Sequence, residues 1–167
     1  MPKLLVLFQS SSADVVRLAE EAAAGARSVR FAEVDLRELP TSDAADAAPA
    51  STGRTHHRLQ HADAVGQYDG LVLDVGPDGE GMLRALDGFG GSLANRVGSV
   101  ITPAGTADRR AVLWSLLGRM ADRDMILVPA PFGEDGGASD RSVRELGRRV
   151  AEVIGWVTHA RSHHHHH

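Results

Sequence analysis

Apolar residues along this chain follow two rhythms. The first is a set of short strand-like runs: Lys3 to Gln9 (KLLVLFQ), nearly continuous and apolar, then Val29 to Leu36, interrupted by Arg30, Glu33 and Asp35, then Gly70 to Val75, Val97 to Thr102 and Met125 to Ala130. Runs without period-2 alternation predict strands buried on both faces. The second rhythm repeats every three or four residues. Val15, Leu18, Ala19, Ala22, Ala23 and Ala26 share one helical face, and so do Val112, Leu113, Leu116, Leu117 and Met120. A short helix is predicted around Met82, Leu83, Leu86 and Phe89, and a last one bears Val143, Leu146, Val150, Ile154 and Val157. Ser11 and Asp14 have the spacing of a capping box, and Ser139 can cap the last helix. Thr41 to Ala64 is rich in Ala, Asp, Ser and Thr and reads as a long connection, with at most a short helix over Leu59 to Ala64. Five strands alternating with amphipathic helices predict an α/β fold, a parallel sheet covered on both faces.

Composition narrows the function classes. The chain has no Cys, which excludes a thiol nucleophile, a disulfide scaffold and a thiolate metal site. Net charge is -4, and Lys3 is the one lysine, so no basic stripe exists for nucleic acid. Aromatic residues are 4%, too few for a base-stacking platform. No apolar run is long enough for membrane insertion, and no signal peptide is visible, so a cytoplasmic protein is expected. His163 to His167 is a purification tag, and Arg161 and Ser162 resemble vector sequence. The expected organisation is one domain over residues 1–160, followed by 161–167 as appended residues.

In a parallel sheet ligands bind beyond the carboxyl ends of the strands, where strand order reverses. Three loops fall there: Ser10 to Val15, Val75 to Gly81 and Thr102 to Asp108. The first offers Ser10, Ser11 and Ser12 at a helix N-terminus, donors suited to a phosphate without a cationic side chain. Capping alone would need one serine. His56, His57 and His61 form HHxxxH, which could hold a metal if helical, but an exposed linker is the favoured reading. Arg109 and Arg110 could meet a ligand phosphate, though a solvated first helical turn is favoured. Trp114 and Trp156 are expected to pack beside apolar helix faces.

The segment MPKLLVLFQSSSADVVRLAEEAAAGA resembles the start of the WrbA family of flavodoxin-like NAD(P)H:quinone oxidoreductases. The resemblance continues through Glu33-Val34 to Pro40, Tyr68 to Leu73, Ser99 to Thr102 and Met125 to Pro129. It implies a three-layer α/β/α sandwich of five parallel strands in the order 2-1-3-4-5. It also implies FMN held by the three loops. Ser10 falls on the family's first phosphate-contacting serine, with Ser11, Ser12 and Val15 in the same loop. Gly76, Pro77, Asp78 and Gly79 would line the flavin ring, and Thr102, Pro103, Gly105 and Thr106 would complete the site. The implied activity is FMN-dependent oxidation of NAD(P)H with quinone-like acceptors, in a homodimer or homotetramer. Because flavin carries the hydride chemistry, no catalytic acid–base pair is required.

Several positions depart from the family pattern. Ala13 stands where the family has Gly, and the acidic Val75 to Gly81 replaces a Thr-Pro-Thr-Arg-Phe-Gly-Asn type segment. Arg123 aligns with a histidine near the flavin, and Asp74, Asp78 and Glu80 would bring negative charge to the cofactor. The alternative is a non-catalytic flavodoxin-like protein that has lost FMN and serves assembly or protein interaction. Tyr68 to Gly79 is also similar to the phospho-acceptor region of receiver domains, but Phe8-Gln9-Ser10 stands where their acidic Mg²⁺ pair belongs.

Overall fold

A computed structural model describes residues 1–9, 11–39, 56–76, 79–103, 108–130 and 138–163. The strands are β1 (Lys3–Phe8), β2 (Glu33–Glu38), β3 (Gly70–Asp74), β4 (Val97–Ile101) and β5 (Ile126–Leu127). The helices are α1 (Ala13–Arg27), α2 (Gly79–Gly88), α3 (Asp108–Asp122) and α4 (Asp140–His163), with a 3₁₀ turn over Ala62–Gln67. The five strands are parallel, in the order β2-β1-β3-β4-β5. This is the expected three-layer arrangement.

The core divides by strand alternation. Leu4, Val6, Phe8 and Val72 pack under α1 and α4 on one face, and Leu5, Leu7, Leu71 and Leu73 pack under α2 and α3 on the other. Every residue of β3 and β4 is buried, as the unbroken apolar runs predicted. The edge strand β2 is only half-buried: Val34 and Leu36 join the first core, while Asp35 accepts a 2.6 Å hydrogen bond from the Tyr68 hydroxyl on the other side.

The expected boundaries shift where backbone conformation intervenes. The second strand begins at Glu33 rather than Val29, because 29–32 turns off the end of α1 with Phe31 in the left-handed region at φ 69°. The fifth strand is two residues rather than Met125 to Ala130. Val128 N–H still donates to Gly98 O at 2.9 Å, the last bond of this ladder among the described residues. The 76–81 stretch is not all loop, since α2 starts at Gly79. The connection before β3 forms its short helical turn at Ala62–Gln67, slightly later than expected. Most of that connection, with Pro40 and residues 41–55, lies outside the described residues. α4 passes residue 160 without a break, and Arg161 donates to Asn95 O at 2.8 Å.

Trp114 and Trp156 do not pack as expected; they are 63% and 68% exposed. Trp114 sits one residue past buried Leu113, about 100° around α3, and Trp156 two residues past buried Ile154, about 200° around α4. Arg123 is structural: its guanidinium donates to the carbonyls of Leu86, Phe89 and Gly91 at 2.8–2.9 Å. It follows α3 at the amino end of the sheet, far from the strand ends where a cofactor would sit, and closes the C-terminus of α2.

α1 and α4 make the closest helix crossing. A Cβ added to Gly25 would run into the Arg144 carbonyl, and one added to Gly147 would run into the Ala22 carbonyl. Each glycine thus faces backbone of the other helix, which cannot swing aside as a side chain does. Gly25→Ala should lower stability by about 1–3 kcal/mol, the usual cost of overpacking. Gly118 of α3 has open space around it, so Gly118→Ala should instead stabilise by about 0.4–1 kcal/mol. Opposite shifts of the urea midpoint for the two variants would establish the crossing; equal shifts would refute it.

Candidate functional site

Strand order reverses between β1 and β3: the chain leaves β1 toward β2 on one side and returns to β3 on the other. The crevice at their carboxyl ends is the ligand position for such a sheet. The loop after β1 and the loop after β3 meet there. A Cβ on Gly76 would collide with Ser11 Oγ and approach Val15 Cγ2 at 3.4 Å. Glycine at 76 therefore lets the serine loop settle directly over the end of β3.

Ser12 is the N-cap of α1, with Oγ accepting from the Val15 N–H at 3.3 Å. The expected box on Ser11 and Asp14 is displaced by one residue, and its return partner is absent because Val15 occupies the third helical position. Ser12 O also accepts from the Val16 N–H at 3.3 Å. Ala13 and Asp14 are then the first-turn amides with no acceptor among the described residues. Two hydroxyls and two amides at the positive end of a 15-residue helix make a cradle for an oxyanion. Asp14 does not spoil it outright. Its carboxylate pairs with Arg17 at 2.9 Å, and Arg17 also bonds Asp140 at 3.0 Å. Both carboxylates, Asp140 foremost, raise the Arg17 pKa above its ordinary value. The trio is about half exposed, so it redistributes charge more than it stabilises.

The other expected site residues separate into two groups. Thr102 is buried and donates its hydroxyl to Val75 O at 3.0 Å, while Val75 N–H donates to Ile101 O at 2.8 Å. Thr102 thus ties the end of β4 to the end of β3 and has spent its donor. Pro103 is buried beside it. Gly79 is buried against Val112 of α3 rather than facing the crevice. Val15 has its side chain in the core and its amide in the cap. Ser10, Pro77, Asp78, Gly105 and Thr106 lie outside the described residues.

Asp74 corrects the expectation of surface charge at the cofactor. It ends β3 between Phe8 and Ile101 and is 0% exposed, with neither carboxylate oxygen hydrogen-bonded among the described residues. Burial pushes its pKa well above the usual carboxylate range, with a weaker opposing pull from the Ala19 backbone amide. Glu80, by contrast, is exposed on α2 and lies 3.8 Å from Arg84. The sequence reading missed the character of Asp74; the signal was an acidic residue closing an otherwise apolar buried run.

Of the three histidines only His56 departs from the expected exposed linker. His56 is half-buried and edge-on to Phe8, with ring centroids 5.2 Å apart and Nε2 3.4 Å from Glu20. His57 and His61 are exposed. The segment is extended rather than helical: Glu38 N–H donates to His57 O, and Leu59 N–H to Glu38 O, each at 2.9 Å. These residues cover the edge of β2. A polar cleft of about 660 Å³ lies beside them, lined by Glu20, Arg27, Arg37 and His57 among others. It flanks the sheet edge, away from the crevice, and mixes both charge signs.

The parallel order, the crevice and the serine-capped helix define a flavodoxin-like protein. Solved structures agree on the fold. A flavodoxin, WrbA-like protein from Agrobacterium tumefaciens superposes with a TM-score of 0.59 at 15% identity, covering 93% of this chain and 99% of that one. A diflavin flavoprotein A3 from Nostoc sp. gives 0.61 at 18% identity, covering 98% and 97%. No family model matches the chain. Curated sequences are more specific. An NAD(P)H dehydrogenase (quinone) of Acidithiobacillus ferrooxidans is 31% identical over 146 residues, covering 79% of this chain and 72% of the relative. One from Brucella ovis is 30% identical over 198 residues, covering 92% and 97%. The chain belongs to the NAD(P)H dehydrogenase (quinone) family, within the flavodoxin-like fold. No helix among the described residues is long and apolar enough to cross a membrane.

The buried acid yields a pH test. Asp74 keeps its proton in the fold at pH values where the unfolded chain has released it. Its contribution to stability is complete below the unfolded pKa, near 3.8, and is lost as pH rises toward the folded value. Asp74→Asn removes that titration. The variant should gain on the parent in urea melts as pH rises above the unfolded value near 3.8. A difference that stays flat across that range would contradict a buried, protonated Asp74.

Proposed function

We propose that this protein is an FMN-dependent NAD(P)H oxidoreductase that reduces quinone-like acceptors. The observation that carries the reading is the serine cradle at the N-terminus of α1, seated over Gly76 at the strand reversal. The family membership supports the same reading. The flavin phosphate belongs at this cradle, held by the hydroxyls of Ser10, Ser11 and Ser12 and by the first-turn amides. The loops after β3 and β4 would then flank the ring. When bound, FMN supplies the hydride and electron chemistry itself.

The chain's own residues have a narrower task. Ser12 holds the mouth of α1 open by capping Val15, so that the earlier amides face outward. Thr102 locks the ends of β3 and β4 together and so sets the floor beneath a ring. Arg17 screens Asp14 from the phosphate. Burial of Asp74 favours its neutral form and removes one carboxylate from the expected repulsion.

The test is a flavin titration followed by FMN fluorescence quenching, with NADH or NADPH oxidation by a soluble quinone as the activity readout. Ser10→Ala and Ser12→Ala should each weaken FMN binding by roughly 1.5–3 kcal/mol, as loss of a charge-assisted hydrogen bond does. Ser12→Ala also removes a cap worth about 1 kcal/mol, so its fold is checked by circular dichroism. Unchanged FMN affinity in both variants would remove the phosphate assignment. Absence of any flavin binding in the parent would overturn the enzyme reading in favour of a non-catalytic role in assembly.

A further inference from the structure

Among the described residues Asp74 is the only fully buried acid, and it lies at the foot of the serine cradle. It ends β3, and Gly76, two residues on, is the glycine over which Ser11 settles. Two residues of chain span at most roughly 7 Å, so the acid and the cradle share one locality. Strand alternation turns the Asp74 side chain with Val72 toward α1, where the Ala19 backbone amide is the polar group that acts on it. Ala19 follows Ala13 by six residues, about 9 Å along the helix axis from the first-turn amides. Neither carboxylate oxygen has a hydrogen-bond partner among the described residues, so no neighbour there offsets a charge on Asp74.

We propose that Asp74 gates the serine cradle through space: a charge on Asp74 and a phosphate bound in the cradle exclude one another, and the phosphate binds while Asp74 holds its proton. The proposal rests on the phosphate assignment made above and adds the residue that tunes it. The surroundings transmit the field of that charge rather than screening it. Phe8 of β1 and Ile101 of β4 flank Asp74, and the same core supplies Val15 and Ala19 of α1 and Val143 and Leu146 of α4; none of these side chains titrates. Charged groups stand outside this shell. Asp14, Arg17 and Asp140 form the half-exposed trio at the mouth of α1. Glu20 and His56 meet at 3.4 Å beside Phe8, and Glu80 and Arg84 belong to α2, across the sheet. At an effective dielectric constant of about 20, two charges about 9 Å apart change an equilibrium roughly tenfold. The effect is reciprocal, so a bound phosphate resists ionisation of Asp74 by the same factor. Phosphate affinity is therefore full on the acid side and falls as pH rises through the folded pKa of Asp74. Burial, which favours the neutral acid, keeps the cradle in its binding form over a wider span of pH.

The test is FMN titration of the parent and of Asp74→Asn by fluorescence quenching, across the pH range in which circular dichroism shows both folded. Riboflavin, which lacks the phosphate, is the control. The two proteins should bind FMN equally at the acid end, and the parent should fall behind by about tenfold as pH rises. The second ionisation of the phosphate is common to both proteins and cancels in the ratio of their Kd values. Riboflavin should show no such divergence. A carboxyl-carbon NMR titration of Asp74 in the parent keeps the test open should the variant misfold: saturating FMN should raise the midpoint by about one pH unit. A Kd ratio constant with pH, a divergence equally large for riboflavin, or a midpoint unmoved by FMN would overturn this proposal and leave the flavin reading standing. Failure of the parent to bind FMN at any pH would overturn both.

Discussion

The close crossing of α1 over α4 is the constraint on which the rest of the structure depends. Gly25 and Gly147 bring backbone against backbone, so the two helices share one face of the sheet without the usual layer of side chains between them. α1 is alanine-rich along its buried stripe for the same reason. With α4 held close, Val143, Leu146, Val150 and Ile154 reach the sheet and seal the core over β1 and β3. The position of α1 then fixes where its N-terminus points, and with it the place of Ser11 and Ser12 above the strand reversal.

That placement explains how a site can be built with few charged groups. The donors are two hydroxyls and the first amides of a helix whose other end is anchored by the crossing. Internal hydrogen bonds hold the frame: Thr102 to Val75, Ser99 to Val128 at 2.6 Å, and the Val15 amide to Ser12. The result is a rigid floor with a small number of outward donors, which suits an anion that brings its own chemistry. Asp74 sits in this floor as a buried acid. Its burial disfavours the charge that would compete with a phosphate.

The two ends of the molecule are chemically distinct. The carboxyl end of the sheet carries the hydroxyls of Ser11 and Ser12 and the first amides of α1. The amino end displays Phe31 and Trp156 beside Arg30 and Glu152. Loops at the two ends are separated by the full length of the strands, so binding at one end need not obstruct the other.

Much of the fold was legible in the residues alone. The runs KLLVLF, GLVLD and VGSVI read as strands covered on both sides, and the alanine stripe of the first helix read as facing a core. The serine loop was legible as a candidate site because hydroxyls at a helix start are local chemistry. What periodicity could not carry was conformation and distance. The turn at Phe31, the short β5 before Pro129 and the shift of the cap from Ser11 to Ser12 each depend on backbone angles set by neighbours far along the chain. The same holds for Trp156 turning outward, His56 seating on Phe8 and Arg123 clamping three carbonyls. Sequence determines the periodic apolar faces that leave water together, since these follow from side-chain chemistry and spacing. Only the tertiary structure decides which polar groups become partners, because a hydrogen bond requires two atoms within about 3 Å, and residues 30 or 60 positions apart meet only when the sheet and helices have closed around them.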